Sequence, residues 1–356
     1  MGAPGLVKNL LYNVALNRLG RREQTAYYPV AACYLVTYRC ELECCYCLEN
    51  TRFRCPDGQI SELDTEGALA TVAGIRTCCG VIDISGGEPA LRADLDLILQ
   101  SCRELRFEEI MLNSNGLSLL DRLGLLTHVH TVVLGIDSLH EDGFVRITGG
   151  TSAQHRLQLE ALETLCRLRS ELHFDLELCT VMLAEHLDEI EPIIDWCFRH
   201  EVLLSLSPHI GPDLRVDARL ADDPRYRQIT SKLVDYRRQG LPLLGSFGYY
   251  EGLRDLGRHN CLPIANLTVN PLGEMFWPCG EIQQRGPSFV EGKPYRQMVD
   301  EARASLGPLP DCTDRCHFSC RLALSAVINR PWDLPAERKH LKRYRRFASS
   351  MLIERG

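Results

Sequence analysis

The chain has 356 residues, of which 45% are hydrophobic, and a formal net charge of -7 at pH 7. This composition predicts a globular protein with at least one substantial core. The excess of acidic residues argues against broad nucleic-acid binding, because such surfaces carry extra lysine and arginine to neutralise phosphates. No apolar run approaches the roughly 20 residues that cross a bilayer, and no signal peptide opens the sequence, so we expect a cytoplasmic location without membrane contact.

The first predicted element is an amphipathic helix, "LVKNLLYNVALNRLG", at residues 6–20. Leu6, Leu10 and Val14 share one side of this helix, which we expect to pack against the rest of the protein. Contact with a membrane surface or a lipid is the alternative interpretation.

From Ala31 onward, short apolar runs rich in β-branched residues alternate with longer segments of helical period. This alternation is typical of repeated βα units and a parallel sheet. Strands are predicted near residues 32–38, 80–85, 108–113, 129–137, 173–182 and 202–208. Helices are predicted near residues 61–76, 92–104, 117–126, 152–170, 187–200 and 223–238. Six such units predict an α/β fold, a partial (β/α)6 TIM-like barrel whose functional end lies at the strand C-termini.

After about residue 240 the alternation stops, and the sequence becomes rich in glycine, proline and cysteine. We interpret this part as a small, metal-dependent domain. The predicted organisation is an N-terminal helix and linker (1–30), the partial barrel (31–240), a cysteine-rich domain (241–330) and a basic C-terminal helix (331–356). The basic stretch "RKHLKRYRR" at residues 338–346 is interpreted as a solvated helix face, with a local nucleic-acid patch as the alternative.

Seventeen cysteines stand in the sequence. A cytoplasmic compartment keeps thiols reduced, and a chain of this length does not need disulfides to fold, so some cysteines are expected to bind metal. Those that stand alone in apolar surroundings are interpreted mostly as small core residues; they are Cys33, Cys102, Cys166, Cys179 and Cys197.

The stretch "YRCELECCYCLEN" has a different character, because Cys40, Cys44 and Cys47 follow a predicted strand with the spacing C-x3-C-x2-C. Three thiolates on one tight loop can bind three irons of a cubane cluster and leave the fourth iron open to a substrate or cofactor. A structural zinc site would normally have four protein ligands. Cys45 is interpreted as a bystander, because adjacent residues do not easily reach one cluster.

An aromatic residue, Tyr46, precedes the last of these cysteines, and the next strand ends in "DISGGEP". This combination resembles the radical S-adenosylmethionine (SAM) enzymes, which have a C-x3-C-x-aromatic-C loop and a Gly-Gly-Glu-Pro motif at the end of the second strand. The resemblance implies that the three cysteines hold a 4Fe-4S cluster that binds SAM and cleaves it to methionine and a 5'-deoxyadenosyl radical. That radical then abstracts hydrogen from the substrate.

Tyr46 and the motif Gly86, Gly87, Glu88 and Pro89 are therefore candidate cofactor-binding residues. The two glycines let the backbone approach a ligand closely, and Glu88 can complement the methionyl ammonium.

Weaker similarities to the same family extend the candidate set for contacts with SAM or substrate. "LNSNG" and "LGIDSLHEDGFVRITGG" resemble the ends of the third and fourth strands in that family. They contribute Ser114, Asn115, Asp137, Ser138 and Arg146. Ordinary turn chemistry is the alternative interpretation for each of them.

Strand alternation supplies further candidates. In "HFDLELCT", one face carries Phe174, Leu176 and Leu178 and is expected to pack on the helices. The other face is expected to line the barrel interior, with His173, Asp175, Glu177 and Cys179. In "LLSLSPHI", Ser205, Ser207 and His209 alternate with leucines in the same way.

Three residues are our catalytic candidates. Glu177 and His209 are selected for substrate contact or proton transfer, with a structural hydrogen bond as the alternative. Cys55, in "TRFRCPDG", is a candidate redox-active thiol or hydrogen donor, with an ordinary loop cysteine as the alternative.

A second cysteine set contains Cys261, Cys279, Cys312, Cys316 and Cys320. The first two flank a predicted β-hairpin that turns at residues 270–273, which would bring their thiols together. The set resembles the auxiliary-cluster extensions of radical SAM enzymes, called SPASM with two clusters and twitch with one. Five cysteines are too few for two complete clusters, so the resemblance implies one auxiliary 4Fe-4S cluster.

The remaining ligands of that cluster are predicted to be Cys316 and Cys320, with Cys312 as a rival and His317 as a further alternative. A zinc site is the competing interpretation.

The resemblance implies a radical SAM enzyme that works with an electron donor such as flavodoxin or ferredoxin. Only about 30 residues precede the barrel, which is too few for a leader-peptide-binding domain. We therefore expect a small-molecule substrate, a polar metabolite such as a sugar, aminocyclitol or nucleoside, that is oxidised or joined by a C-C bond. The alternatives are maturation of a ribosomal peptide or protein, modification of a lipid, and a non-catalytic iron-sulfur electron carrier.

Overall fold

The computed structural model describes residues 5–19, 27–47, 61–211, 213–312 and 317–344. The strands of this part of the chain are Ala31–Thr37 (β1), Val81–Gly86 (β2), Glu109–Ser114 (β3), Thr131–Gly135 (β4), Asp175–Met182 (β5), Leu203–Pro208 (β6), Asn266–Val269 (β7), Glu274–Trp277 (β8) and Gln284–Ser288 (β9). The helices are Leu6–Arg18 (α1), Thr65–Arg76 (α2), Leu95–Glu104 (α3), Glu141–Thr148 (α4), Ser152–Leu172 (α5), Ile190–His200 (α6), Ala218–Ala221 (α7), Pro224–Arg238 (α8), Phe247–Asp255 (α9), Tyr295–Leu306 (α10), Ser319–Asn329 (α11) and Leu334–Tyr344 (α12).

The described strands form one sheet in the order β6-β5-β4-β3-β2-β1-β7-β8-β9. Strands β1 to β6 pair in parallel with their neighbours, as repeated βα units require. The sheet ends at β6 on one side and at β9 on the other, so it is an open, partial barrel. The predicted α/β fold class is confirmed.

One face of the parallel strands forms the core against the helices. It carries fully buried aliphatic side chains that include Ile82, Ile84, Ile110, Leu112, Leu134, Leu178, Leu204 and Leu206. Burying each such side chain stabilises the fold by about 1.5–3 kcal/mol. The predicted outward face of β5 is confirmed, since Phe174, Leu176 and Leu178 belong to this core.

The opposite face of the sheet lines the barrel interior, which we call the lumen. Strand register brings Cys33 beside Asp83, and Cys179 beside Ser205. Glu177 lies beside Val133 on β4. Because neighbouring residues in register point to the same side of a sheet, the polar side chains of different strands meet in the lumen.

His173 is an exception to the predicted lumen face of the fifth strand. It is exposed, and it ends α5 in the left-handed conformation with φ of 61°. The strand begins only at Asp175, so the prediction that His173 faces the lumen is wrong.

Two further stretches differ from the sequence prediction. The helix expected near residues 117–126 is a run of 3₁₀ turns, Leu120–His128, with a kink at Arg122. Helix α4 was not predicted, and it proves important because it holds the first cysteine loop.

The part of the chain after residue 240 shares the barrel sheet. Strand β7 pairs in parallel with β1 and turns into the antiparallel strand β8, where Val269 pairs with Met275. The predicted hairpin at residues 270–273 is therefore confirmed. The cysteine-rich part extends the sheet edge, although a domain boundary near residue 240 remains a prediction.

Helix α1 packs against the barrel. Its residues Leu10 and Val14 are buried, and the Asn9 side chain donates hydrogen bonds to the carbonyl oxygens of Pro29 (2.7 Å) and Cys78 (2.9 Å). In the described ranges, every helix falls short of the length and apolar character that crossing a membrane requires.

Candidate active site

The first cysteine loop leaves the C-terminal end of β1 and is fastened to α4. The Glu43 amide donates to the Thr148 carbonyl (2.8 Å), and the Cys45 amide donates to the Ile147 carbonyl (2.9 Å). Leu42 is buried beneath the loop. These bonds fix the loop at the end of the barrel where the predicted site lies.

Cys40, Cys44 and Cys47 are half-buried in this loop, whereas Cys45 is exposed. Burial raises the pKa of the Cys40 thiol to about 11. Burial also raises the pKa of Cys44, and the nearby charges of Asp137, Cys47 and Cys40 add to that effect. Binding of a metal replaces the thiol proton, so three half-buried thiols on one loop suit an iron-sulfur cluster.

In the part of the chain that the structure describes, no three His, Cys, Asp or Glu side chains converge as a site for a single metal ion. In a cubane, each of three thiolates binds a different iron.

The C-terminal end of β2 forms a close backbone contact with the C-terminal end of β1. The Gly87 amide donates to the Thr37 carbonyl (2.9 Å), and the Glu88 amide donates to the Arg39 carbonyl (2.7 Å). Gly86 has φ of 143°, and a Cβ atom there would overlap the Thr37 carbonyl. The glycines are thus required by the close approach of the two strand ends.

Glu88 is fully buried at this junction. Its carboxylate accepts hydrogen bonds from the Ala90 amide (2.9 Å), the Ser114 hydroxyl (3.0 Å) and the Asn115 amide (2.7 Å). Burial raises the Glu88 pKa to about 7, although these hydrogen bonds act in the opposite sense. A cationic group of a ligand would stabilise the charged form. Pro89 is also buried and begins a short 3₁₀ turn.

Asn115 connects β3 to the cysteine loop. Its amide nitrogen lies 3.8 Å from the Cys40 sulfur and donates to the Glu41 carboxylate (3.1 Å). Ser118 donates to the same carboxylate (2.6 Å). The role of Glu41 was not predicted, because a loop carboxylate gives no periodic signal in the sequence.

Asp137 fixes the aromatic residue of the cysteine loop. The Tyr46 hydroxyl donates to the Asp137 carboxylate at 2.5 Å, and the Val181 amide donates to its other oxygen at 2.9 Å. Burial raises the pKa of both Asp137 and Tyr46. This contact orients Tyr46 next to Cys47.

Ser138 and Arg146 lie in different surroundings. The Ser138 hydroxyl is buried and donates to the carbonyl of His140 (2.8 Å) or the carboxylate of Glu189 (2.7 Å), a contact that holds the start of α4. Arg146 is exposed on α4. Their proposed contact with SAM or substrate remains a prediction.

Two pairs of interacting side chains at or near the lumen contain titratable groups. The Asn113 side chain donates to both Asp83 oxygens (2.9 and 3.0 Å), and burial raises the Asp83 pKa to about 6, with the Glu177 charge adding to the shift. His209 lies 3.3 Å from Asp217. Asp83 was missed by the sequence analysis, although a carboxylate within the apolar strand "VIDIS" was a usable signal.

The catalytic candidates are only partly brought together. Glu177 is buried on the lumen face of β5, beside Cys179. His209 is half-buried after β6 and its ring is held by Asp217. Cys55 lies outside the described residues. Catalytic roles for these three residues remain predictions.

Three cysteines of the second set line one cleft. The cleft is lined by Cys261, Cys279 and Cys312, together with Arg321 and Glu281. This arrangement favours Cys312, which the sequence analysis ranked behind Cys316 and Cys320. Cys316 lies outside the described residues.

Cys320 is the second residue of α11, and its thiol interacts electrostatically with Asp83 on the lumen face of β2 and with Glu281 at the cleft. The residue is exposed, but protein surrounds its thiol on most sides, and this desolvation raises its pKa to about 11. The charges of Asp83 and Glu281 raise that pKa further, while Arg321 lowers it. The second cysteine set therefore adjoins the lumen.

His317 is buried and lies 3.2 Å from the Gly257 carbonyl. Burial lowers its pKa to about 4, and the nearby His259 adds to this effect. This environment favours the neutral imidazole. The choice among the remaining auxiliary ligands stays a prediction.

The Gly87→Ala variant tests the close contact of the strand ends. A Cβ atom at this position would lie 2.7 Å from the Arg39 carbonyl carbon and 2.8 Å from the Tyr38 oxygen, so the strand end that carries Cys40 must move. We expect the affinity for SAM to fall by about tenfold or more. Equilibrium binding to the reconstituted protein measures the change. Gly124→Ala is the matched control, since a Cβ there meets nothing within 4 Å; equal affinities for the two variants would contradict the account.

The Glu88→Gln variant tests the buried carboxylate. Because the folded-state pKa of Glu88 is raised to about 7, the folded protein holds a proton that the unfolded chain has already lost. The stability of the wild type should therefore fall, relative to Glu88→Gln, as the pH rises from about 5.5 to about 7.5, by on the order of 2 kcal/mol. Urea unfolding across this range measures the difference, and a gap that is independent of pH would contradict the burial of an ionising group.

Comparison with known proteins agrees with this site. Residues 34–197 match the radical SAM superfamily model. Curated relatives include a probable GTP 3',8-cyclase from Methanococcus vannielii, 26% identical over 187 residues, with 50% of this chain and 58% of that protein covered. The PqqA peptide cyclase of Methylorubrum populi is 32% identical over 178 residues, with 47% of this chain and 42% of that protein covered. The chain thus spans about half the length of these relatives.

Solved structures share the fold. Streptococcus suis SuiB bound to its precursor peptide SuiA has a TM-score of 0.61 and 16% identity, and the match covers 97% of this chain and 80% of that one. The anSMEcpe structure with bound AdoMet has a TM-score of 0.58 and 12% identity, with 88% and 96% covered. The predicted cofactors, a 4Fe-4S cluster and SAM, are those expected for the superfamily. The cysteine loop and the motif from Gly86 to Pro89 both lie inside the matched range, so residues 34–197 of this chain form a radical SAM domain.

Proposed function

We propose that this chain is a radical SAM enzyme that modifies a peptide. The observation that carries the choice of substrate is the charge of the lumen. The six barrel strands, all described by the structure, carry four acidic residues and no Lys, Arg or His; the acidic residues are Asp83, Glu109, Asp175 and Glu177.

This charge disfavours a nucleoside triphosphate. Binding sites for phosphate groups use arginine, lysine or clusters of backbone amides to neutralise the ligand. Asp83 and Glu177 would instead repel such a ligand in a partly desolvated space. A neutral or cationic peptide side chain meets no such repulsion, so similarity to the PqqA peptide cyclase supports the proposal more than similarity to the GTP cyclase does.

The fold comparison also supports a peptide. SuiB was solved with its precursor peptide, and anSMEcpe was solved with the Kp18Cys and Cp18Cys peptides. A small polar metabolite was expected because few residues precede the barrel. The length of that segment bears on leader-peptide binding and not on what the lumen binds, so these comparisons favour the peptide alternative.

In the proposed enzyme, Cys40, Cys44 and Cys47 would hold the SAM-binding cluster. The bound cluster and SAM supply a 5'-deoxyadenosyl radical that abstracts hydrogen. Gly86 and Gly87 let the end of β2 approach β1 closely and so place Glu88 beside the cysteine loop, and the protein walls exclude water and orient the substrate. Cys261, Cys279 and Cys312, with a fourth ligand from the Cys316 to Cys320 segment, would hold one auxiliary cluster.

A small polar metabolite is the second candidate function. Ser205, Ser207 and His209 are half-buried at the end of β6 and offer hydrogen-bond partners for hydroxyl groups. The lipid alternative loses support, because Leu10 and Val14 of α1 pack inward. A plain electron carrier has no need of a buried carboxylate next to the cluster loop. We retain a flavodoxin or ferredoxin as the proposed electron donor and the cytoplasm as the proposed location.

The experiment that tests the peptide proposal uses coupled SAM cleavage. The reconstituted protein, SAM and dithionite are incubated with short peptides encoded beside its gene or with GTP. We expect a peptide to increase 5'-deoxyadenosine formation and to change in mass, as measured by mass spectrometry, whereas GTP leaves the background rate unchanged.

The Cys44→Ala variant is the control for both signals. Stimulation by GTP, with no peptide altered in mass, would contradict the proposal. If the peptide mass still changes with the Cys44→Ala variant, the modification does not depend on the cluster, and this outcome would also contradict the proposal.

A further inference from the structure

A buried arginine stands at the second cysteine set. Arg321 is the third residue of α11, directly after Cys320, and its side chain is only 2% exposed. It lines the same cleft as Cys261, Cys279 and Cys312. A guanidinium is never deprotonated at working pH, so a permanent positive charge borders this cleft.

The guanidinium connects four segments of the chain. It donates to the Glu281 carboxylate (3.0 Å), to the Thr268 hydroxyl on β7 (2.8 Å) and to the Pro263 carbonyl (3.3 Å). It also donates to the Asn266 carbonyl. These contacts join α11 to the hairpin side of the cleft, which means that Arg321 sets the position of Cys320 relative to Cys279.

The charges around Arg321 do not balance once the cysteines bind iron. Glu281 offsets the guanidinium in the free protein. Cys279 lines the same cleft as the guanidinium, and Cys320 is the residue directly before Arg321 on α11. Thiolates bound to a cluster add negative charge to this enclosed cleft, and that charge grows when the cluster is reduced.

We propose that Arg321 is a positioning residue that stabilises the reduced form of the auxiliary cluster and so raises its reduction potential. The proposal rests on the auxiliary cluster of the proposed function. Net charge and hydrogen bonding near the sulfurs set the potential of iron-sulfur clusters. A buried cation next to two candidate ligands acts through the first of these, the net charge near the cluster.

The test measures the potential of the auxiliary cluster alone. In a background with Cys40, Cys44 and Cys47 replaced by Ala, Arg321→Gln and Arg321→Lys are compared by redox titration followed by electron paramagnetic resonance. We expect the ratio of reduced to oxidised cluster at a fixed potential to fall about tenfold in Arg321→Gln, a shift of about 59 mV to lower potential. Arg321→Lys, which keeps the charge but loses the planar fork, should recover part of this shift.

Arg237→Gln is the matched control. Arg237 is equally buried and pairs with Glu337 at 2.6 Å on α12, so this variant also removes a buried ion pair. Its cluster should keep the unmodified potential. If Arg321→Gln keeps its iron and its reduction potential is unchanged, this inference is overturned, although the proposed auxiliary cluster is supported. Absence of iron from the triple-alanine background itself would overturn the auxiliary cluster of the proposed function, and the inference with it.

Discussion

The close contact between the ends of β1 and β2 is the constraint on which the site depends. Gly87 and Glu88 bond to the backbone carbonyls of Thr37 and Arg39, one residue before Cys40. Side chains at Gly86 or Gly87 would collide with that backbone. The cysteine loop and the buried Glu88 therefore occupy fixed positions relative to each other before any ligand arrives.

Other features of the site depend on this junction through β3, β4 and α4. Ser114 and Asn115 bond to Glu88, so β3 holds the carboxylate from the other side. Asp137 holds Tyr46, and the end of α4 holds the amides of the cysteine loop. The fold brings several strand ends together at the C-terminal end of the barrel. This arrangement preorganises the site at little further cost in conformational entropy.

The sequence predicts most of the barrel because its signals are local. Alternating β-branched runs indicate the six strands, and the motif from Gly86 to Pro89 indicates the close contact at the end of β2. Pairings between distant residues are not visible in this way. The contacts of Asn113 with Asp83 and of Arg321 with Glu281 depend on strand register and on the packing of α11, which one sequence does not specify. The helix predicted near residues 117–126 failed because apolar periodicity does not distinguish an α-helix from a kinked run of 3₁₀ turns.

The central claim is that two separate cysteine sets hold two iron-sulfur clusters around one lumen. The measurement that tests it most directly is iron and sulfide per chain after anaerobic reconstitution. The wild type, a Cys40, Cys44 and Cys47 triple-alanine variant and a Cys261, Cys279 and Cys312 triple-alanine variant are compared. The account predicts about eight irons in the wild type and about four in each variant. About four irons in the wild type, falling to nearly none in the first variant and unchanged in the second, would contradict it.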